Sequence, residues 1–234
     1  MSFEAIVNKH NYSKEFAVFL EKVCEELVNY FNDEDLVYEA ILNTPIVFVG
    51  NCYNYAKENG FLNSPDNGVE AVSQASLNRS AGVYLSEPII TFNNGLYYIS
   101  EIKRAVLVTN FTADYSKGTL IHELCHLIKG YYNEYRIDGN ILYSYGGLIE
   151  SQYALSYDGQ NVTKTLFKET GVGLEEGLNT IVEEIITIKT FNEQYKSSGY
   201  GVVKTVAENL LLDAEDNELL KVIINAQLYH NYQR

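Results

Sequence analysis

His122-Glu123-Leu124-Cys125-His126 is the stretch on which the interpretation of this chain depends. Residues i and i+4 of an α-helix lie on the same face, one turn apart, so both imidazoles can point at one metal ion. Glu123 then stands beside the coordination position that the protein leaves open. Its carboxylate could take a proton from metal-bound water and pass it to a leaving group. The pentapeptide therefore predicts two metal ligands, His122 and His126, and one general base, Glu123.

The motif is too improbable to be put down to chance. The chain has 234 residues and only 4 His, and a chain of this composition contains a random H-E-x-x-H about 0.007 times. Ser116 is a suitable N-cap for the motif helix, and Gly130 is a suitable stop signal. A core helix whose histidines only hydrogen-bond to their neighbours is the other interpretation. The flanking residues are uncharged and mostly apolar, as a helix that crosses a core requires: Leu120, Ile121, Leu124, Cys125, Leu127 and Ile128.

Before the motif, hydrophobic periodicity predicts helices first and then a sheet. Asn93-Asn94-Gly95 has the composition of a tight hairpin turn. A mixed or antiparallel sheet is therefore expected to lead directly into the motif helix. The predicted elements are helices over residues 13–30, 35–42 and 52–60, a short strand over 45–50, an exposed loop over 59–68, and strands over 81–85, 89–92, 96–99 and 103–111.

After the motif, the alternation of apolar and polar residues returns to a period of two. Asp138-Gly139 and Asp158-Gly159 are typical turn centres, and they predict two β-hairpins. Helices follow over residues 174–190, 202–212 and 214–229. Nothing in the chain resembles a linker or a low-complexity tract, so we expect a single domain of the α+β class. Its predicted parts are N-terminal helices over 1–43, the sheet and motif helix over 81–130, a hairpin insertion over 131–170 and a helical C-terminal part over 171–234.

Composition narrows the possible functions. A hydrophobic content of 46% is that of a globular protein. The net charge of −14, with only 17 Lys and Arg, argues against a nucleic-acid partner. No apolar run approaches the roughly 18 residues of a membrane span, so no membrane partner is expected. Residues 1–5 lack the pattern of a signal peptide and the 3 Cys do not form a disulfide framework, which favours a cytoplasmic location and leaves secretion open.

A catalytic zinc ion usually has three protein ligands, so the chain must supply one more. The metzincin pattern requires a glycine and a third histidine after the motif, but Lys129 and Tyr132 occupy those positions. Cys52 is an upstream candidate, but its neighbours do not match the cysteine motif of the deformylases. Downstream, Glu176 and Glu183 would share one face of a helix, together with two small polar residues, while apolar residues form the other face.

Glu175-Glu176-Gly177 resembles the Asn-Glu-Gly helix of the zinc aminopeptidases, and more distantly the glutamate helix of thermolysin. With the H-E-x-x-H motif, it makes the chain similar to the gluzincins among the zincin-like metallopeptidases. The similarity covers these two helices only. It implies a zincin-like fold, Zn²⁺ as cofactor, Glu176 as the third ligand and a peptide or protein substrate. Glu183 matches a second glutamate of those aminopeptidases, and its position suggests that it orients one imidazole.

Several assignments stay open in the sequence. Glu175, Glu150 and Asp138 are alternative third ligands. In zincin-like folds the strand before the motif helix pairs with an extended peptide, and here that would be part of residues 103–111, although an ordinary internal strand is equally compatible. A residue that stabilises the oxyanion is also needed, and the candidates are Tyr131, Tyr132, Tyr195, Tyr200 and His230.

The function itself also has alternatives. A catalytically silent zincin-like binding or regulatory module would keep the metal without turnover, although such a module does not need Glu123. A toxin-like peptidase with one dedicated target would have the same site as a general peptidase. The sequence does not indicate the oligomeric state.

Overall fold

The computed structural model describes residues 3–62, 75–109, 114–132, 134–191, 195–197 and 200–212. These residues form helices and two separate sheets, which confirms the α+β class. The helices are α1 Phe3–His10, α2 Lys14–Phe31, α3 Glu34–Asn43, α4 Cys52–Glu58, α5 Asp114–Gly130, α6 Val172–Phe191 and α7 Gly201–Leu212. The strands are β1 Ile46–Val49, β2 Gly82–Asn93, β3 Leu96–Thr109, β4 Tyr135–Asp138, β5 Ile141–Gly146, β6 Ile149–Tyr157 and β7 Val162–Thr170.

The N-terminal helices begin where side chains can cap them. Ser13 Oγ accepts a hydrogen bond from the Phe16 N–H at 3.2 Å, and Asp33 Oδ1 accepts one from the Leu36 N–H at 2.9 Å. Such caps satisfy amides that have no partner within the helix. The helices predicted over residues 13–30 and 35–42 are confirmed, each displaced by about one residue at its ends.

The first sheet has the order β1-β3-β2, with β3 in the centre. Strand β1 pairs with β3 in parallel, and β2 pairs with β3 in antiparallel orientation across a tight turn, where Asn94 and Gly95 have φ of 51° and 79°. The predicted hairpin turn is therefore confirmed. The four short strands predicted over residues 81–111 are instead two long ones. Pro88, between two of the predicted strands, lies within the edge strand β2, where a missing N–H can be tolerated.

Residues 105–108 of strand β3 are buried on both faces of the sheet. Val106 and Val108 belong to the large core beneath the helices, whereas Ala105 and Leu107 belong to a smaller core with α4. Of the two interpretations left open for residues 103–111, the internal strand is the one found at residues 106–109, which have hydrogen-bonded neighbours on both sides, while residues 110 and 111 lie outside the described residues. Within the described part of the chain, β2 has no strand partner on its other side, which faces the motif helix.

Helix α5 passes through the large core. It begins at Asp114, so Ser116 lies within the helix and is not its N-cap as predicted, and Gly130 is its last residue. The apolar residues around the motif are all buried, as the sequence indicated: Leu120, Ile121, Leu124, Cys125, Leu127 and Ile128. Burial on this scale fixes the rotation of the helix, and hence the direction in which its histidines point.

The segment between the motif and the EEG helix forms one antiparallel sheet of order β4-β5-β6-β7. Its β4–β5 and β6–β7 hairpins turn at Gly139 and Gly159, both at positive φ, so the two predicted hairpins are confirmed. Gly147, also at positive φ, lies between β5 and β6 and joins the hairpins into a single sheet.

Helices α6 and α7 pack closely at a glycine. A Cβ on Gly177 would lie 2.5 Å from the Val203 carbonyl oxygen, so only glycine allows this approach. The predicted helix over residues 214–229 and most of the loop over 59–68 lie outside the described residues. None of the helices in the described part of the chain has both the length and the apolar character that a bilayer crossing requires.

Candidate metal centre

Helix α5 places both motif histidines on one side, as the i, i+4 spacing predicts. Their Nε2 atoms are 3.2 Å apart, and their side chains are 7% and 13% exposed for His122 and His126. The imidazoles therefore converge at a partly enclosed point rather than dispersing into solvent. Two ring nitrogens this close would repel each other if both presented a lone pair or both carried a proton. The distance is favourable when a proton or a metal ion lies between them.

Glu176 of α6 completes the group. Its Oε2 lies 3.0 Å from His122 Nε2 and 3.4 Å from His126 Nε2. The three ligand atoms all lie within 4.8 Å of one another, an arrangement that could hold a metal ion. Within the described residues, this is the one group of three or more His, Cys, Asp or Glu side chains with that geometry. The structure thus brings together the three residues that the sequence predicted as ligands.

The other proposed ligands lie elsewhere. Glu175 is fully buried, and its carboxylate accepts hydrogen bonds from Lys129 Nζ and from the Leu148 N–H, both at 2.8 Å. Glu150 accepts a hydrogen bond from Gln152 at 2.6 Å within the second sheet, and Asp138 is exposed at the end of β4. None of the three belongs to the group around the histidines.

Glu183 supports His122 from behind, at the position that suggested such a role. Its Oε2 lies 3.2 Å from His122 Nδ1, and the same carboxylate accepts hydrogen bonds from the Tyr195 hydroxyl at 2.5 Å and the Ser197 hydroxyl at 3.2 Å. A carboxylate accepts only, so the His122 Nδ1 carries a proton and donates it. In the neutral ring, this leaves the lone pair on Nε2, which faces Glu176.

Asn179 supports His126 in a different way. Its amide nitrogen lies 3.0 Å from His126 Nδ1, while its amide oxygen accepts a hydrogen bond from Lys129 Nζ at 2.6 Å. Lysine only donates, so it holds the amide oxygen on its own side. In this arrangement His126 Nδ1 accepts a hydrogen bond from the amide, so in the neutral ring the proton is on Nε2. For Nε2 to bind a metal, the proton would have to move to Nδ1, and the Asn179 amide would have to turn away from Lys129 to accept it.

Electrostatics bias the site towards cations. Burial alone would lower the pKa of His122, but hydrogen bonds to Glu176 and Glu183 and the charge of Glu123 raise it to about 10. Burial opposes the ionisation of Glu176, yet hydrogen bonds to the two imidazoles hold its pKa well below the usual range. The Glu176 carboxylate therefore stays charged at neutral pH, and His122 binds a proton unless another cation takes its place.

Glu123 is held by the backbone of the edge strand. Its Oε2 accepts a hydrogen bond from the Tyr84 N–H at 2.7 Å. That amide points away from β3, towards the motif helix, because it does not take part in the ladder between β2 and β3. The candidate base therefore has a fixed position next to the free edge of the sheet.

Tyr200 is the one tyrosine of the predicted set that lies over the metal-binding group. Its ring stacks on His122 with centroids 5.7 Å apart. Burial, followed by the charges of Glu176 and Glu123, raises the pKa of Tyr200 to about 12, so its hydroxyl keeps its proton at neutral pH. The hydroxyl of Tyr195 instead donates a hydrogen bond to Glu183.

The remaining oxyanion candidates are not brought to the site. The hydroxyl of Tyr132 donates to Glu39, and that of Tyr131 accepts from Asn43. His230 lies outside the described residues.

Two cavities meet at this group. The larger, of about 380 Å³, is lined by Glu123, His126 and Glu176 among others. The smaller, of about 240 Å³, is lined by His122, Glu123 and Glu183. Tyr200 borders both. Glu123 therefore lies at the border that the two cavities share.

Sequence reasoning missed the role of Lys129, which it noted only as a mismatch to another pattern. A signal was available, since a lysine three residues after His126 on an otherwise apolar helix lies on the same face as the histidine and requires a buried partner.

Comparisons of the chain with models of known protein families, with curated proteins and with solved structures found no match.

Proposed function

We propose that this protein is a zinc-dependent metallopeptidase of zincin-like fold, which hydrolyses peptide bonds with water. The observation that carries the proposal is the convergence of His122 Nε2, His126 Nε2 and Glu176 Oε2 within 4.8 Å of one another, next to a cavity that Glu123 also lines. Two imidazoles and one carboxylate are a ligand set that catalytic zinc sites use, with one position open for water or substrate.

Zinc bound there would polarise a peptide carbonyl and lower the pKa of a bound water to about 7. The residues of the chain supply the rest of the chemistry. Glu123 takes the proton from the attacking water and later gives it to the departing amine. The Tyr84 N–H fixes Oε2 of Glu123, which leaves Oε1 as the atom that moves the proton. Glu183 holds His122 in the tautomer that presents the Nε2 lone pair.

Tyr200 is the residue to which we assign stabilisation of the oxyanion. Its hydroxyl is protonated at neutral pH, since its pKa is raised to about 12, and its ring already lies over His122. A protonated hydroxyl that donates to the developing oxyanion lowers the barrier more than it stabilises the ground state. Replacing Tyr200 with Phe should therefore lower kcat by roughly 10²-fold and change KM little.

Strand β2 is the element to which we assign substrate binding by strand addition. It lies at the edge of the sheet, and its Tyr84 amide points outward to Glu123. An extended peptide can pair with the free backbone groups of such an edge, and this aligns its scissile bond with the base.

The test is metal content by elemental analysis, on wild type and on His126→Ala, Glu176→Ala and Glu123→Gln. We expect about one zinc per chain in wild type and in Glu123→Gln, and loss of zinc in the two ligand variants, since a site with two ligands binds zinc weakly. Cleavage of a peptide library should be seen only with zinc-loaded wild type. Zinc binding without any cleavage would instead favour a silent binding module, and absence of zinc after reconstitution would overturn both.

A further inference from the structure

The two cavities lie on opposite sides of the catalytic glutamate and along the same strand edge. Ala81 and His122 border only the smaller cavity, Tyr84, Ser86 and His126 border only the larger one, and Ser80, Gly82 and Glu123 border both. Along an extended chain, the path from residue 81 to residue 86 is about 17 Å, at roughly 3.3 Å per residue. A chain bound along this edge therefore has residues on both sides of the reacting bond.

Among the described residues, the charged side chains that line the two cavities are carboxylates, and each has an assigned partner or role. Among the described residues that line them there is no Lys or Arg that could pair with a C-terminal carboxylate. Glu134 could in principle hold an α-ammonium, but it already accepts hydrogen bonds from Arg104 at 2.9 Å and from the Tyr84 hydroxyl at 2.9 Å. Glu183 is used by His122 and Tyr195. Recognition of a free end, which an exopeptidase requires, has no residue assigned to it here.

The larger cavity also has a second wall. The β5–β6 part of the four-stranded sheet contributes Tyr145, Gly146, Ile149 and Tyr153 to its lining. The lining that this sheet contributes is therefore aromatic and aliphatic, and it faces the edge of β2 across the cavity. Aromatic walls of this kind favour large uncharged side chains, because they offer extended apolar contact and few polar groups that need a partner.

We propose that the cleft binds an interior segment of an extended polypeptide across both cavities, with a large uncharged side chain against Tyr145 in the larger one. The protein is then an endopeptidase, and the insertion between its metal ligands determines its specificity. This inference rests on the proposed peptidase function and adds the class of substrate to it.

The experiment compares peptides longer than the cleft in two forms, one with free termini and one acetylated and amidated. Zinc-loaded full-length protein should cleave both at the same internal bonds, with kcat/KM equal to within about twofold. Cleavage only of the free-ended form, or release of terminal residues one at a time, would overturn the endopeptidase assignment and leave the peptidase function intact.

Binding provides a readout that is independent of turnover. Zinc-loaded Glu123→Gln keeps the cleft but lacks the base, and fluorescence anisotropy should give the same affinity for blocked and free-ended peptides. Equal binding without cleavage by wild type would uphold the extended cleft and refute the peptidase function. Much tighter binding of the free-ended form would refute the extended cleft.

A matched pair of variants tests the wall. Tyr145 and Tyr143 lie on the same strand with their rings stacked, 6.3 Å between centroids, but only Tyr145 lines the cavity. Tyr145→Ala should reduce the preference for large over small side chains by about tenfold, and Tyr143→Ala should leave it within about twofold. Equal effects of the two substitutions, or none in either, would contradict the placement of the substrate side chain.

Discussion

The two imidazoles of the site are supported by different chemistry at their far nitrogens. His122 Nδ1 faces the carboxylate of Glu183, whereas His126 Nδ1 faces the amide nitrogen of Asn179. A carboxylate fixes the tautomer that a metal ligand needs, and a donating amide fixes the opposite one. His122 is therefore the better prepared ligand, and His126 is the one whose surroundings have to adjust.

The affinity for zinc should rise with pH well beyond the usual range of histidine. The pKa of His122 is raised to about 10, and zinc must displace that proton to bind. Affinity measured by competition with a chelating dye should increase by up to about tenfold per pH unit from pH 7 to pH 9. If the affinity already stopped increasing near pH 7, the proposal that His122 is protonated and hydrogen-bonded to both carboxylates at neutral pH would be wrong. In Glu183→Gln, which removes the negative charge of one of the two groups that hydrogen-bond to His122, the rise should level off at lower pH.

The same proton contributes to the stability of the metal-free protein. A group whose pKa is raised on folding stabilises the fold fully below its unfolded pKa, about 6.5 for histidine, and loses that contribution as pH rises through the folded value. The urea concentration at the unfolding midpoint of metal-free wild type should therefore decrease as the pH is raised from 6.5 to about 10. The midpoint of the His122→Gln variant should fall less over the same range.

Asn179→Asp should tighten metal binding. A carboxylate can accept from Lys129 and from a protonated His126 Nδ1 at once, which the amide does not do in its observed orientation. Partners of this kind change metal affinity by about 10–100-fold, so we expect a gain at the lower end of that range. Dye competition at fixed pH measures it, and a weaker site in Asn179→Asp than in Asn179→Leu would contradict the explanation.

At the scale of single residues, the sequence was informative where chemistry depends on spacing along one helix. The i, i+4 rule was sufficient to place His122, Glu123 and His126 together. Glu176 was preferred to Glu175 by resemblance and by the polar helix face that it shares with Glu183, but the choice between adjacent glutamates also depends on the rotation of α6 against α5. That rotation is set by contacts between residues far apart in the sequence, such as Lys129 with Glu175, and no local pattern encodes it.

At the scale of elements, a buried ion pair joins the two ligand-bearing helices. Lys129 of α5 and Glu175 of α6 are 0% exposed in their side chains, and Glu175 also accepts from the Leu148 N–H between β5 and β6. Helix α6 is thus fixed to α5 and to the second sheet at one point, one residue before Glu176. The position of the third ligand depends on this attachment.

Breaking that pair on one side should be strongly destabilising. Lys129→Met leaves the Glu175 carboxylate buried without a counter-charge, and we expect a loss of about 3–5 kcal/mol in the free energy of unfolding. Lys129→Met combined with Glu175→Gln should recover part of the loss. Urea unfolding of the metal-free proteins measures both.

Lys204→Met is the control for this prediction. It removes the partly exposed ion pair with Glu184 of helix α6, at 2.5 Å and with side chains 18% and 16% exposed, together with a longer pair to Glu208 at 3.4 Å. Pairs of that kind contribute only about 0–1 kcal/mol. A similar loss in Lys129→Met and Lys204→Met would mean that the buried pair is not special.

The sequence predicted helices better than strands for an identifiable reason. Helix ends are marked by local caps such as Ser13 and Asp33, whereas Pro88 marks an interruption only in a strand that needs its N–H. The continuous apolar run from Ala105 to Val108 was the available sign that β3 lies in the centre of the sheet, since a strand buried on both faces does not alternate. That apolar run does not predict which strands pair with β3.

At the scale of the whole molecule, zinc should stabilise the fold by linking distant parts of the chain. The ligands come from α5 and α6, which the entire four-stranded sheet separates in sequence. An ion that binds only the folded state stabilises it by about 2.7 kcal/mol at a free concentration 100 times Kd. The melting temperature should therefore rise with free zinc in wild type and not in His126→Ala. A rise with Mg²⁺ as well would argue against a site made of imidazoles.

The arrangement of the two sheets was beyond the reach of the sequence. Two hairpins could be predicted from their turns, but the placement of their sheet opposite the edge of β2 depends on packing between segments with no common pattern. Glu87 of β2 and Lys164 of β7 form an ion pair across this contact, and Phe92 stacks on Tyr157 nearby. The cleft is a product of tertiary structure, even though His122, Glu123, His126 and Glu176 of the proposed site could all be identified in the sequence.

The hydrogen bond from residue 84 to Glu123 has a consequence for how such a protein can evolve. Its donor is the main chain, so every amino acid except proline at position 84 would preserve it. The residue also borders the larger cavity, while its side chain packs against the large core and donates its hydroxyl to Glu134. A substitution at this one position would therefore change the border of the cavity and the contact with Glu134, and would leave in place the main-chain donor that holds the proposed base.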